Sequence, residues 1–146
     1  HRAAAATMTP PFHHPLRVYW EDTDAGGVVF YANHLKFFER ARTEWLRALG
    51  VGQQRLRDET GAIFVVGDTA LRYLAPARLD DALAITVQPT EASRASLALA
   101  QQAWRGDQLL CEGTIRIACV DAGTFRPRRL PLAITELLAR SQPLPR

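Results

Sequence analysis

The chain has 146 residues, of which 47% are hydrophobic and 23% are charged, and its formal net charge is +3. Those values indicate one globular domain with a real core. The small charge is spread along the chain and does not indicate nucleic-acid binding, and no apolar run is long enough to span a membrane.

The first segment, 1–14, is rich in alanine and proline and predicts a disordered N-terminal tail. A single domain is expected over 15–140, followed by a short C-terminal tail over 141–146. Bulky residues within 16–21 predict the first strand, because β-branched and aromatic side chains fit a pleated surface.

A long helix is predicted over 33–49 from apolar residues that recur at helical spacing. Asn33 is a suitable N-cap, and Gly50 is a suitable stop at the C-terminal end. The apolar stripe is broad, which predicts that other structure covers most of the helix. A short helix should follow and close at Gly61.

Alternating apolar residues then predict four strands, over 63–73, 83–87, 95–104 and 109–120, and a short helix follows over 134–139. Pro89 is expected to end the second of these strands, and Gly113 is expected to mark a bulge. Four consecutive strands without intervening helices imply an antiparallel sheet. The expected fold is therefore α+β, with exposed sheet edges that favour dimerisation.

Two cysteines, Cys111 and Cys119, lie eight residues apart on one predicted strand. An extended strand separates them by far more than a disulfide allows. We therefore expect two buried thiols in a cytoplasmic protein, and neither has an adjacent histidine that would indicate a catalytic cysteine.

The stretch over 19–34 carries the main chemical signal. It begins as a strand, turns through Asp22, Asp24, Gly26 and Gly27, and enters the long helix. A carboxylate there would lie beside unpaired N–H groups at a helix N-terminus, which suit an oxyanion. That combination is a plausible arrangement for acyl transfer.

Several separated motifs within about 16–135 closely resemble those of the hotdog-fold acyl-CoA thioesterases, in particular the Tol-Pal-associated branch related to hydroxybenzoyl-CoA thioesterase. The motifs are Tyr19-x-Glu21-Asp22-Thr23-Asp24-Ala25-Gly26-Gly27-Val28-Val29, Phe38-Glu39-Arg40-Ala41-Arg42-Thr43-Glu44, Tyr73-x-Ala75-Pro76-Ala77-Arg78-Leu79-Asp80-Asp81 and Cys119-Val120-Asp121. The resemblance implies a hotdog fold, in which about five antiparallel strands wrap a long central helix. It also implies homodimers with a continuous sheet, active sites between protomers and, often, tetramers.

The resemblance further implies hydrolysis of an acyl-CoA to a free acid and CoA, with no cofactor other than the CoA of the substrate. Asp24 matches the family's catalytic aspartate, and Tyr31 matches the residue whose backbone N–H polarises the thioester carbonyl. Asp24 would act as the nucleophile or as a general base, and the sequence leaves both routes open. Two positions differ from the Tol-Pal-associated pattern, which often has histidine at position 31 and usually tyrosine at 34, where this chain has His34.

The predicted substrate-binding residues are Gly26, Gly27, Val28, Val29, His34, Arg126 and Arg128. The two glycines serve turn geometry equally well, and His34 would more often be a packing or surface residue. The arginines suit CoA phosphates, although a solvated basic tail fits them as well. No histidine spacing indicates a metal site.

The alternative function is a non-catalytic acyl-thioester-binding or scaffold protein on the same fold, associated with envelope or division machinery. A hotdog dehydratase would require an aspartate and histidine paired over the acyl chain, and no such motif is present.

Overall fold

The computed structural model describes residues 10–140. Within that range the chain forms five strands and three α-helices in the order β1, α1, α2, β2, β3, β4, β5, α3. Their bounds are β1 Phe12–Arg17, α1 Asn33–Ala48, α2 Gln53–Thr60, β2 Ala62–Tyr73, β3 Ala82–Ala92, β4 Ser96–Arg105, β5 Gln108–Asp121 and α3 Leu132–Arg140. The predicted α+β class is confirmed.

The strands form one antiparallel sheet with the order β1-β3-β4-β5-β2. Hairpins link β3 to β4 and β4 to β5, as the sequence predicted, and Gly106 between β4 and β5 has a φ of 60°. The two strands that flank α1 and α2 in the chain, β1 and β2, therefore lie at opposite edges of the sheet.

The first strand differs from its prediction at both ends. Phe12 pairs with Val87 of β3, so residues 12–14 belong to the sheet and the predicted tail over 1–14 is too long. The strand ends at Arg17 because residues 20–22 turn into a short 3-10 helix. The remaining tail residues, 1–9 and 141–146, lie outside the described residues.

The long helix α1 has the predicted bounds to within one residue, and Gly50 follows it with a φ of 84°. Phe37 and Phe38 are fully buried, and they join the inward-facing residues of the sheet in one core. Burying a phenylalanine side chain stabilises a fold by about 2 kcal/mol, so this pair holds α1 against the sheet.

The sequence predicted that Pro89 ends β3, and this prediction is wrong. The strand continues to Ala92 with a register shift after Pro89. The reason lies in the neighbouring strand. Phe12, the first residue of β1, lies opposite Val87, so beyond that point β3 pairs with β4 alone among residues 10–140. A proline without an N–H is tolerated beside such an open edge.

Gly113 does not form the predicted bulge, because it pairs in register with both Leu71 and Gln101. A Cβ atom at this position would lie 2.2 Å from the carbonyl oxygen of Ala70. Gly113 is therefore required for the close approach of β5 to β2. The irregularity in β2 lies instead between Val66 and Asp68.

Candidate active site

A small antiparallel loop carries the predicted catalytic stretch to the start of α1. Thr23 pairs with Val29, and the Phe30 amide donates to the Asp22 carbonyl at 2.9 Å. Asp22 is 5% exposed, and its carboxylate accepts a hydrogen bond from the Tyr19 amide at 2.8 Å. Asp22 therefore orders the turn, as expected from its position.

Asp24 lies on this loop opposite Val28, whose carbonyl accepts the Asp24 amide at 2.9 Å. Its Oδ1 accepts the Gly26 amide at 2.8 Å, while its Oδ2 makes no hydrogen bond with any of residues 10–140. A Cβ at position 26 would lie 3.2 Å from Oδ1, and Gly27 has a φ of 78°. Gly26 thus leaves the Asp24 carboxylate uncrowded, and Gly27 supplies the left-handed backbone that this exposed turn requires.

The sequence predicted Asn33 as the N-cap of α1, and this prediction is wrong. The cap is Ala32, and the Asn33 side chain instead donates to the Asp22 carbonyl at 2.9 Å. This bond ties the first turn of the helix to the loop that carries Asp24. The distance between the two parts of the candidate site is therefore fixed by two bonds to one carbonyl group.

The helix start presents two backbone N–H groups without partners. In the part of the chain that the structure describes, neither the Tyr31 amide nor the Ala32 amide donates a hydrogen bond. The next amide, that of Asn33, is already bonded to the Phe30 carbonyl at 2.8 Å. Unpaired N–H groups at a helix N-terminus carry partial positive charge and favour an oxyanion.

A cleft of about 310 Å³ is lined by Tyr31 at the helix start, whereas Ala32 and Asp24 are not among its lining residues. It is mainly apolar and is bounded by the helix start and by the end of β2, with the lining residues Val29, Tyr31, His34, Tyr73, Leu74, Ala75 and Pro76. The rings of Tyr31 and Tyr73 meet edge to face with their centroids 6.1 Å apart. This volume accommodates an acyl group rather than a whole CoA molecule.

His34 is 3% exposed. Its Nδ1 is the only fully buried side-chain nitrogen or oxygen atom without a hydrogen-bond partner among residues 10–140. Its ring packs edge to face on Phe37 and on Tyr73, with centroids 5.6 Å away in each case. Burial lowers the pKa of His34 below its ordinary value of 6.5. The imidazole is therefore neutral at physiological pH, and its lowered pKa makes it a weaker base than an ordinary histidine.

This burial predicts how stability depends on pH. Below pH 6.5 the unfolded chain binds a proton at residue 34 before the folded chain does, so the free energy of unfolding falls as the pH drops. We expect a His34→Leu variant to lose less stability than the parent between pH 7 and pH 5. Urea unfolding across that range measures the difference. An equal slope for the parent and the His34→Leu variant would contradict this expectation.

The two arginines predicted to bind CoA phosphates are not among the residues that line the cleft. Arg128 donates to Asp121 Oδ1 at 3.1 Å and to the Thr60 carbonyl at 2.8 Å, so its side chain joins β5 to the end of α2. The amide of Arg126 donates to Thr124 Oγ1 at 3.2 Å. Phosphate binding by either arginine stays a prediction, and Arg128 also has a structural role.

Neither cysteine is suited to nucleophilic catalysis. Cys111 and Cys119 are both free and buried, as predicted. Burial raises the pKa of the Cys111 thiol to about 12 and also raises that of Cys119. Both remain protonated thiols at neutral pH, and only a thiolate would be an effective nucleophile.

Four residues of the cleft, Tyr73, Leu74, Ala75 and Pro76, were not predicted as part of the site. Tyr73 belongs to a motif noted in the sequence, but it lies 42 positions from Tyr31, and its hydroxyl group donates to the Tyr31 carbonyl at 3.0 Å. Only the pairing of β2 at the edge of the sheet brings these residues together, and no local sequence pattern reports such a contact.

The fold and the helix-start site define a class of protein. Residues 18–140 match the family described as the thioesterase-like superfamily, and the chain belongs to that family. The match covers both edges of the cleft and the Asp24 loop. The fold is the hotdog fold, and the protein is a thioester hydrolase.

Relatives within the family include the acyl-CoA thioesterase YbgC of Haemophilus influenzae, which is 45% identical over 120 residues, 82% of this chain and 88% of the relative. The acyl-CoA thioester hydrolase YbgC of Escherichia coli O6:H1 is 46% identical over 127 residues, 86% of this chain and 94% of the relative. A probable thioesterase from Bartonella henselae has a crystal structure that superposes with a TM-score of 0.79 at 32% identity, covering 84% of this chain and all of that one.

The helices of residues 10–140 are all too short or too polar to cross a membrane.

Proposed function

We propose that this protein hydrolyses an acyl-CoA thioester to a free acid and CoA, with Asp24 as the catalytic carboxylate and the Tyr31 amide as the main oxyanion donor. One observation carries the proposal. The exposed Asp24 carboxylate, with Oδ2 unpartnered among the described residues, lies on a loop bonded directly to a helix start that offers free N–H groups. The acyl-CoA class is supported by the activity for which the YbgC relatives are named.

The carbonyl oxygen of the thioester would accept hydrogen bonds from the Tyr31 and Ala32 amides, which gain strength as negative charge develops on it. In the nucleophilic route an Asp24 oxygen attacks the carbonyl carbon, the carbon–sulfur bond breaks, and CoA leaves as a thiolate. Water then hydrolyses the mixed anhydride and restores the carboxylate. In the general-base route Asp24 accepts a proton from the water molecule that attacks the same carbon.

The acyl group would occupy the cleft between Tyr31 and Tyr73. His34 lines this cleft as a neutral ring, and Val29 contributes apolar surface. Gly26, Gly27 and Val28 shape the approach to Asp24 and leave room for the thioester. The pantetheine arm and the nucleotide of CoA extend beyond the cleft, where Arg126 and Arg128 remain candidates for the phosphates.

We further propose that the chain forms a homodimer through the outer edge of β2, and that two such dimers can pair into a tetramer. β2 spans 12 residues at one end of the sheet and has no neighbour on its outer side within residues 10–140. Such a long open edge is normally paired or covered. β2 ends at Tyr73, so a second copy there would also close the cleft. Light scattering should give at least twice the 16.2 kDa of one chain.

A panel of acyl-CoA thioesters, assayed by release of the free thiol, tests the function. The expected result is turnover of at least one member, at a rate that a metal chelator does not change because no step requires a cofactor. The scaffold alternative, with association to envelope or division machinery in the cytoplasm, predicts binding without thiol release. Stoichiometric binding with no turnover across aliphatic and aromatic members would therefore overturn the hydrolase proposal.

A further inference from the structure

We infer that Tyr73 is a positioning residue for this reaction, because its hydroxyl group holds and polarises the peptide unit of the Ala32 amide, the second of the two N–H groups proposed to bind the thioester oxygen. The inference rests on the proposed function. Tyr73 lies at the end of β2 and does not contact the reacting atoms itself. It acts through the backbone at the start of α1, to which its hydroxyl group is bonded.

The two free amides at the start of α1 belong to two different peptide units. Each N–H belongs to a peptide unit whose carbonyl group lies on the preceding residue. The Tyr31 amide shares its unit with the Phe30 carbonyl, which accepts the Asn33 amide at 2.8 Å. The Ala32 amide shares its unit with the Tyr31 carbonyl, which accepts the Tyr73 hydroxyl at 3.0 Å and the His34 amide at 3.3 Å.

A peptide unit is planar, so fixing its carbonyl group also fixes the direction of its N–H. A hydrogen bond to the carbonyl oxygen also polarises the unit and makes its N–H a stronger donor, since chains of hydrogen bonds strengthen one another. The contact from the His34 amide belongs to the first helical turn and is long. Among residues 10–140, the Tyr73 hydroxyl is therefore the one side-chain group bonded to the carbonyl that orients the Ala32 N–H.

The surroundings of Tyr73 keep its hydroxyl in this role. Its ring packs edge to face on Tyr31, with centroids 6.1 Å apart, and on His34, with centroids 5.6 Å apart. Tyr73 is 46% exposed, and its partial desolvation raises its pKa, so the hydroxyl keeps its proton and donates throughout the neutral range. The buried, neutral His34 ring thus packs against the Tyr73 ring and helps to fix its position.

A Tyr73→Phe variant removes the hydroxyl and keeps the ring and its packing. We expect kcat to fall about tenfold with KM changed less than twofold, a smaller loss than the hundredfold or more that follows removal of an oxyanion donor outright. The matched control is Tyr19→Phe, which removes the hydroxyl of a tyrosine that is 62% exposed and should keep parental kinetics.

A spectroscopic readout separates positioning from a structural role. In the Asp24→Asn background, which should bind acyl-CoA without hydrolysing it, the carbonyl stretch of the bound thioester should shift to lower frequency than in water. Adding Tyr73→Phe should reverse part of that shift, because the oxyanion donors are weaker. The midpoint of urea unfolding should stay close to that of the parent.

The outcomes are distinguishable. If Tyr73→Phe hydrolyses acyl-CoA at the parental rate while Asp24→Asn is inactive, the inference is overturned and the proposed function stands. A rise in KM with an unchanged carbonyl frequency, or a lowered unfolding midpoint that accounts for the lost activity, also overturns it. Absence of hydrolysis by the parent protein overturns the proposed function and this inference together.

Discussion

Replacing Asp24 with asparagine should reduce acyl-CoA hydrolysis on the order of a thousandfold while leaving the fold intact. Loss of a general base or a carboxylate nucleophile has effects of this size. The asparagine side-chain oxygen can still accept the Gly26 amide at the position of Oδ1, so the loop keeps its hydrogen bond. The measurement is kcat from thiol release, with circular dichroism and urea unfolding as tests of structure.

Asp107→Asn is the matched control for this variant, since Asp107 is an exposed turn aspartate between β4 and β5. It carries the same change in charge and should keep parental kinetics. A single turnover in water labelled with oxygen-18 then tests the nucleophilic route. Label in the Asp24 carboxylate establishes attack by the aspartate, because water has then opened the anhydride at the aspartyl carbon. Label only in the released acid fits both routes, since water can also open the anhydride at its acyl carbon. Full activity of Asp24→Asn would contradict both.

Replacing Gly113 with alanine should destabilise the protein by about 3 kcal/mol. The added Cβ would lie 2.2 Å from the Ala70 carbonyl oxygen and 2.5 Å from Leu71 Cδ2. The first of these atoms belongs to the backbone, so β2 must move away from β5 and lose part of its pairing. Overpacking of this kind costs about 1–3 kcal/mol and more where the backbone has to shift. Urea unfolding measures the change.

Gly67→Ala provides the comparison, because Gly67 lies on the same strand pair and a Cβ there would meet the Arg116 carbonyl oxygen at 3.7 Å, an ordinary contact. We expect its unfolding midpoint to stay near that of the parent. Equal stability of the two alanine variants would show that β2 and β5 approach each other less closely than described here.

The parts of the fold that depend on local pattern could be predicted from the sequence. The apolar spacing within α1 predicted that helix, and the glycines at 50 and 61 predicted where α1 and α2 end. The alternation of apolar residues predicted β4 and β5. These features arise from residues close together in the chain, where periodicity and turn chemistry are direct evidence. The Asp24 turn was predictable for the same reason.

The features that sequence did not predict depend on neighbours far along the chain. Pro89 is tolerated because, among residues 10–140, the pairing of β1 with β3 reaches no further than Val87, and Gly113 is needed because Ala70 lies against it. The burial of His34 and the bond from Tyr73 to Tyr31 likewise require the end of β2 to lie over the start of α1. No local pattern reports which strand lies beside a given residue.

We propose that the thioester carbonyl lies between the side chain of residue 24 and the first amides of α1. A crystal structure of the Asp24→Asn variant with an unhydrolysed acyl-CoA tests that placement most directly. We expect the thioester oxygen within hydrogen-bond distance, about 3 Å, of the Tyr31 amide and the side chain of residue 24 about 3–3.5 Å from the carbonyl carbon. A thioester bound away from the start of α1, with residue 24 facing solvent, would contradict the account.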